Sequence, residues 1–191
     1  MSRELWVIAG PNGSGKTTWV EALLEIRTDL AYLSADAIAA ELSPERPEKA
    51  QFEAGRRFLE ALARGLDEGR SLVVESTLAG LGMQRFFQRA RTRGYRIVVL
   101  FVFVETVELC VQRVAQRVLK GGHDVPEVDI RRRYPRSLAR FWRLYRLQAH
   151  EWHLVYNARE SFELVALGSK DRTEVLDDYL FESFRQQGVE L

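Results

Sequence analysis

The stretch Gly10-Pro11-Asn12-Gly13-Ser14-Gly15-Lys16-Thr17 has the spacing G-x-x-x-x-G-K-[ST] of a phosphate-binding loop. Glycines permit positive φ angles and let backbone N–H groups approach phosphate oxygens with no Cβ between them. A helix opening at Gly15 would add its positive dipole end. In such a loop Lys16 reaches the β- and γ-phosphates, and Thr17 offers its hydroxyl to Mg²⁺. The nucleotide-binding set is therefore Gly10, Pro11, Asn12, Gly13, Ser14, Gly15, Lys16, Thr17 and Thr18, with ATP and Mg²⁺ as the expected cofactors. The flanks distinguish the match from a chance glycine-rich turn. Leu5 to Ala9 is an apolar run suited to a strand buried on both faces, and Trp19, Val20, Leu23 and Leu24 recur at helical spacing up to Arg27.

Outward from the loop, strands and helices alternate. Ala31–Ser34 reads as a short strand and Ala37–Leu42 as a helical segment. Leu59, Leu62 and Leu66 mark a helix from Phe52 that stops at Gly69. Ser71–Glu75 and Ile97–Val104 are buried-type strands. Between them Met83, Phe86, Phe87 and Ala90 predict a helix that Gly94 ends. Val107, Cys110, Val111, Val114 and Val118 form the apolar stripe of a helix that stops at Gly121-Gly122. Pro126 restarts a helical pattern that Pro135 should break or kink, and Phe141, Leu144, Tyr145 and Gln148 carry it towards Trp152. Leu154–Tyr156 and Phe162–Leu167 read as two late strands. A last helix carries Val175, Leu176, Tyr179, Leu180 and Phe184. The alternation predicts an α/β fold: a three-layer P-loop NTPase domain with a mainly parallel central sheet. Residues 1–191 are expected to form a single domain, with a lid-like helical segment at about 113–140.

The chain has 191 residues and a formal net charge of +1, so no global charge draws it to nucleic acid or to a membrane. One cysteine, Cys110, rules out an intramolecular disulfide and suits a reducing compartment. It falls on an apolar helix face, as a buried, inert thiol would. Neither a signal peptide nor a membrane-spanning run is legible, which predicts a soluble, cytoplasmic protein.

Two acids are candidates for chemistry. Asp36 lies twenty residues beyond Lys16, after a strand whose carboxyl end should open on the ligand crevice. There it would accept a proton from an attacking hydroxyl. The competing reading is a helix N-cap, for which Ser34 is the rival. Glu75 ends a strand and is followed by Ser76 and Thr77. It reads as a Walker B-like acid near the Mg²⁺ hydration shell, as a contact to substrate hydroxyls, or as a strand-terminal surface acid.

Basic residues dominate from Arg113 to Arg146. Arg113, Arg117 and Lys120 share a helix face, and Arg131, Arg132, Arg133 and Arg136 follow the Gly121-Gly122-His123 turn. Arginines flanking a glycine hinge suit a segment that closes over phosphates, with Arg117 and one of Arg132 or Arg133 as candidates. Arg140, Arg143 and Arg146 read as a solvated face. With Tyr134, Trp142 and Tyr145, the same stripe would alternatively make a nucleic-acid surface, which the near-neutral charge disfavours. His150 and His153, expected late in a helix, lack a third metal ligand.

The loop 10–18, Ser34-Ala35-Asp36, Glu75-Ser76-Thr77-Leu78-Ala79-Gly80 and Arg117-Val118-x-x-Gly121-Gly122-His123-x-Val125 occur in order. Together they resemble the zeta-toxin-like P-loop kinases over roughly residues 5 to 157. The resemblance implies transfer of the ATP γ-phosphate to a hydroxyl, in zeta toxins that of a UDP-N-acetyl amino sugar, and a small antitoxin as a possible partner. By position it makes Lys16 a phosphate ligand, Thr17 the Mg²⁺ ligand and Asp36 the base. Glu75 and Thr77 become substrate contacts, and Arg117 and Arg132 or Arg133 γ-phosphate clamps. The register within Arg131-Arg132-Arg133 is left open. The alternatives are a polynucleotide or nucleoside 5′-kinase and a nucleotide-binding module without turnover.

Overall fold

Apolar residues in β1 (Glu4–Ala9), β3 (Leu72–Ser76) and β4 (Arg96–Phe103) run without a polar break because both faces of the sheet are covered. The two-residue side-chain period divides them between two cores. Leu5, Val7, Leu72, Val74, Ile97, Val99, Phe101 and Phe103 face one core, whereas Ile8, Val73, Leu100 and Val102 face the other. The computed structural model describes residues 3–158 and 161–187.

The smaller core is capped by α1 (Lys16–Ile26) through Val20 and Leu23. The larger takes residues of five helices: α3 (Gln51–Asp67), α4 (Gln84–Thr92), α5 (Val107–Leu119), α6 (Glu127–Arg140) and α7 (Asp178–Gln186). The sheet between has seven strands. With β2 (Ala31–Leu33), β5 (Glu151–Asn157), β6 (Phe162–Gly168) and β7 (Thr173–Val175), its order is β2-β3-β1-β4-β5-β6-β7. The strands from β2 to β5 are mutually parallel, and β6 and β7 add antiparallel pairings at the far edge. This is the α/β three-layer, mainly parallel arrangement expected from the alternation. A short helix, α2 (Ala35–Leu42), follows β2.

Four expectations about the second half are corrected. Pro135 does not break its helix: α6 runs through it to Arg140, because Ile130, Tyr134, Ser137 and Leu138 bury one face and the Tyr134 hydroxyl donates to the Val104 carbonyl at 2.8 Å. The helix does not continue to Trp152. It ends in a π-helical turn, Phe141–Tyr145, with Phe141 stacked on Phe101 at 4.3 Å and Trp152 already in β5. His150 and His153 consequently lie not late in a helix but at the entrance of β5 and within it. The His150 backbone N–H donates to the Ile97 carbonyl at 2.9 Å, and its Nδ1 accepts from the Ile97 N–H at 3.0 Å. Val175 and Leu176 do not belong to the last helix. Val175 ends β7, and α7 starts only after Asp177, whose carboxylate caps it by accepting from Leu180 N–H at 2.8 Å.

Candidate functional site

Parallel strands place the loops after β1, β2, β3 and β5 on one side, where the strand order leaves a crevice. A cavity of about 770 Å³ opens there, lined by residues of the phosphate loop, by Asp36, Glu75 and Thr77, and by Arg113, Arg117 and Arg133. Residues far apart in sequence thus meet around one cavity.

The loop is shaped by what surrounds it. Gly10, Gly13 and Gly15 have φ of +143°, +79° and +97°. A Cβ on Gly13 would stand 2.6 Å from the Cys110 carbonyl oxygen, and one on Gly15 would stand 2.2 Å from Asn157 Nδ2. Asn157, the last residue of β5, is buried and donates from Nδ2 to the Ser14 carbonyl at 2.8 Å, fastening the loop to the sheet. It also accepts at its own carbonyl from Arg113 Nη2 at 3.2 Å. Lys16 Nζ donates to the Pro11 carbonyl at 2.8 Å, curling over the loop. Burial pushes its ammonium below the ordinary lysine value, opposed by the carboxylates of Glu75 and Asp36.

Glu75 joins three elements. Its Oε2 accepts from the Thr17 hydroxyl at 3.1 Å, and its Oε1 accepts from the Tyr32 hydroxyl. Burial, followed by that hydrogen bond, pushes the Tyr32 phenol well above its ordinary value. A threonine hydroxyl and a carboxylate side by side are hard oxygen donors of the kind Mg²⁺ takes alongside phosphates. Glu75 thus ends its strand tied to α1 and β2 rather than free at the surface. Tyr32 was missed by the sequence reading, since a tyrosine in a short strand carries no signal of its own.

At Asp36 the capping question resolves. Ser34 Oγ accepts from the Ala37 N–H at 3.4 Å and caps α2, leaving the Asp36 carboxylate exposed in the cavity wall. His123 Nε2 lies 3.8 Å from Asp36 Oδ1 and 3.1 Å from the Gln51 amide nitrogen.

The arginines separate by their partners. Arg117 lines the cavity, and its Nε and Nη2 are buried with no hydrogen-bond partner among the described residues. Gly122 N–H donates to the Arg117 carbonyl at 2.9 Å, and a Cβ on Gly122 would press on Arg117 Cγ at 2.5 Å, so this glycine accommodates the side chain. Of the three consecutive arginines, Arg133 reaches the cavity. Arg131 pairs with Glu108 and Glu127, both at 2.8 Å, and Arg132 with Asp129 at 2.6 Å, and neither lines it. Arg140 and Arg146 are not a solvated face. Arg140 donates to the Ala79 carbonyl, and Arg146 is half-buried with its guanidinium 4.0 Å from the Trp142 ring. Tyr134 and Tyr145 are buried in the core and Trp142 packs against it, so these aromatics offer no stacking surface to a nucleic acid.

Thr77 is positioned by the loop after β3. Leu78 holds a φ of +50°, which costs a branched side chain about 1–2 kcal/mol, and is fully buried. The α6 region fastens this loop: Ser137 donates to the Thr77 carbonyl, Arg140 to Ala79, and Tyr145 to the Gly80 carbonyl at 2.6 Å. These bonds hold the strained residue next to Thr77, which lines the cavity.

Known proteins match this arrangement. The AAA_33 family, described as an AAA domain, matches residues 5–135. The chain belongs to that family. An uncharacterized protein of Haemophilus influenzae is 28% identical to this AAA_33 domain over 141 residues, which are 69% of this chain and 98% of that one. A chain of the AvrRxo1-ORF1:-ORF2 complex, crystallised with ATP, superimposes with a TM-score of 0.75 at 17% identity, and the domain spans 65% of its length. A chain of the PezAT chromosomal toxin–antitoxin system of Streptococcus pneumoniae superimposes with a TM-score of 0.66 at 16% identity, over 97% of this chain and 78% of that one. The fold of the AAA_33 domain is that of these two structures.

Proposed function

We propose that this AAA_33 domain is an ATP- and Mg²⁺-dependent phosphotransferase that moves the γ-phosphate to a hydroxyl of a small molecule. The observation that carries the reading is one cavity lined by the phosphate loop, by the exposed Asp36 carboxylate and by Arg117, whose Nε and Nη2 are buried without a hydrogen-bond partner among the described residues. Buried cations without partners are costly and persist where an anion completes them.

The loop glycines and Lys16 would bind the triphosphate. Mg²⁺, held by Thr17 and neighboured by Glu75, would offset its charge. Asp36 would take the acceptor hydroxyl proton as the new O–P bond forms and the bond to the β-phosphate oxygen breaks, leaving ADP. Arg117 and Arg133 would stabilise charge on the transferring group, and closure of the segment around Gly121 (φ +81°) would exclude water. Thr77 would contact the acceptor. UDP-N-acetylglucosamine is the first acceptor to try, because the zeta-toxin resemblance names it, and a small antitoxin covering the nucleotide site is the corresponding partner. No helix among the described residues is long and apolar enough to cross a membrane.

The test is ADP release by the purified protein with ATP, Mg²⁺ and a panel of UDP-sugars, nucleosides, free sugars and a 5′-hydroxyl oligonucleotide, with products identified by mass spectrometry. Acceptor-dependent ADP and a phosphorylated small molecule are expected. ATP binding with no product from any acceptor would instead make the domain a binding module.

A further inference from the structure

The loop after β3 is held by its carbonyls. Ser76 accepts from the Gly10 N–H of the phosphate loop at 3.3 Å. Thr77 accepts from the Ser137 hydroxyl, Ala79 from the Arg140 guanidinium and Gly80 from the Tyr145 hydroxyl at 2.6 Å. The Thr77 hydroxyl itself accepts from the Ala79 N–H at 3.4 Å, so its place at the cavity wall follows the turn of the backbone. That turn passes through Leu78 at a φ of +50°, a conformation the tertiary bonds must keep from relaxing.

Arg133, Ser137 and Arg140 follow one another at i, i+4 and i+7, a single stripe along α6. The first lines the cavity and the other two grip the loop. The same helix is fastened to the sheet, with Ile130 and Leu138 buried, the Tyr134 hydroxyl on the Val104 carbonyl at 2.8 Å and Phe141 stacked on Phe101. A swing of the whole of residues 113–140 over the phosphates would break all of these contacts at once. The connection between α5 and α6 is built differently. Lys120, Gly121, Gly122 and Asp124 are exposed, and the His123 ring meets the Gln51 amide at 3.1 Å. Resting on the phosphotransfer reading, we propose that Ser137 and Arg140 are positioning residues. They lock Thr77 and Arg133 at a fixed separation, so that α6 is a rigid wall of the cavity and closure is confined to residues 120–125.

Kinetics and distances test this on the full chain. With an acceptor from the screen, Ser137→Ala and Arg140→Met should each lower kcat by about ten- to a hundredfold, the effect of displacing a reacting group by up to an ångström, while the affinity for a fluorescent ATP analogue stays unchanged. Arg140→Lys returns a donor and should recover part of the loss. Ser137→Ala adds no bulk and carries the test should Arg140→Met melt early. Spin labels read the motion without turnover. Cysteines at Arg136 and Gln88, both exposed, should keep their separation when a non-hydrolysable ATP analogue and Mg²⁺ bind, whereas a pair at Asp124 and Gln88 should shift; the native Cys110 is buried. Parent turnover in both loss-of-donor variants, ATP affinity falling in step with kcat, no recovery in Arg140→Lys, a moving label at 136 or a static one at 124 would overturn the proposal. Should no acceptor be phosphorylated, the phosphotransfer reading fails, and the label distances still decide whether α6 is fixed.

Discussion

Replacing Asn157 with Leu tests whether the phosphate loop depends on a residue of a strand two places away in the sheet. Leu is of similar size but cannot donate, so the Ser14 carbonyl loses its 2.8 Å bond in a buried setting. Leaving a buried acceptor unsatisfied costs about 1–3 kcal/mol. That energy must appear in one of two places. If the loop stays in its nucleotide-ready shape, the protein is destabilised by the full amount, lowering the melting temperature by about 2–4 °C per kcal/mol. If the loop instead turns the carbonyl to solvent, stability is spared and nucleotide binding must restore the shape, weakening ATP by about 5- to 150-fold. Titration of a fluorescent ATP analogue and denaturant unfolding, both on the same preparation, measure the two parts, and their sum should reach at least about 1 kcal/mol. A variant that binds ATP like the parent and unfolds at the same denaturant concentration would refute the claim that Asn157 holds the loop.

Other expectations follow from the same geometry. Tyr32→Phe frees one oxygen of Glu75 and should raise the Mg²⁺ concentration needed for tight nucleotide binding several-fold while leaving Mg²⁺-free nucleotide affinity intact. An unchanged Mg²⁺ dependence would remove Tyr32 from the site. Burial pushes the Cys110 thiol up to about 12, so a maleimide at pH 8 should label the folded protein only at its unfolding rate, and prompt labelling would contradict the packing of α5. Glu4 is buried. Its burial works against ionisation, but hydrogen bonds from Trp6, Arg27 and Arg96 prevail and hold its carboxyl below the usual range. Its contribution is therefore present above the ordinary glutamate value and lost as pH falls through the lowered one. Glu4→Gln should cost about 1–3 kcal/mol at pH 7 and blunt the acid limb of the stability curve. An unaltered curve would show that the cluster contributes nothing.

Much of the first half was legible because its signals are local. The loop motif fixes its own flanks, and strands buried on both faces announce themselves as unbroken apolar runs. What escaped the sequence depends on distant partners. Arg140 looks like any helical surface arginine until the Ala79 carbonyl arrives from the loop after β3. Arg131, Arg132 and Arg133 look alike in sequence, and only the fold pairs Arg131 with Glu108 on a different helix and brings Arg133 to the cavity. Tyr32 and Asn157 owe their places to strand order, which spacing does not encode. β7 is three residues long, too short for a two-residue period to register. In the stretch from Phe141 to Trp152 the helical apolar spacing persists by coincidence across a π-helical turn and into a strand.

In the proposed mechanism Asp36 accepts a proton from a hydroxyl attacking a nucleotide held elsewhere in the same cavity. The most direct measurement is a single-turnover comparison of the parent protein and Asp36→Asn with ATP, Mg²⁺ and the acceptor that the screen identifies. The substitution conserves size, and the helix keeps its Ser34 cap. Transfer should slow by at least about a hundredfold, with the affinity for a fluorescent ATP analogue unchanged. Transfer at the parent rate, or loss of nucleotide binding in step with loss of transfer, would contradict it.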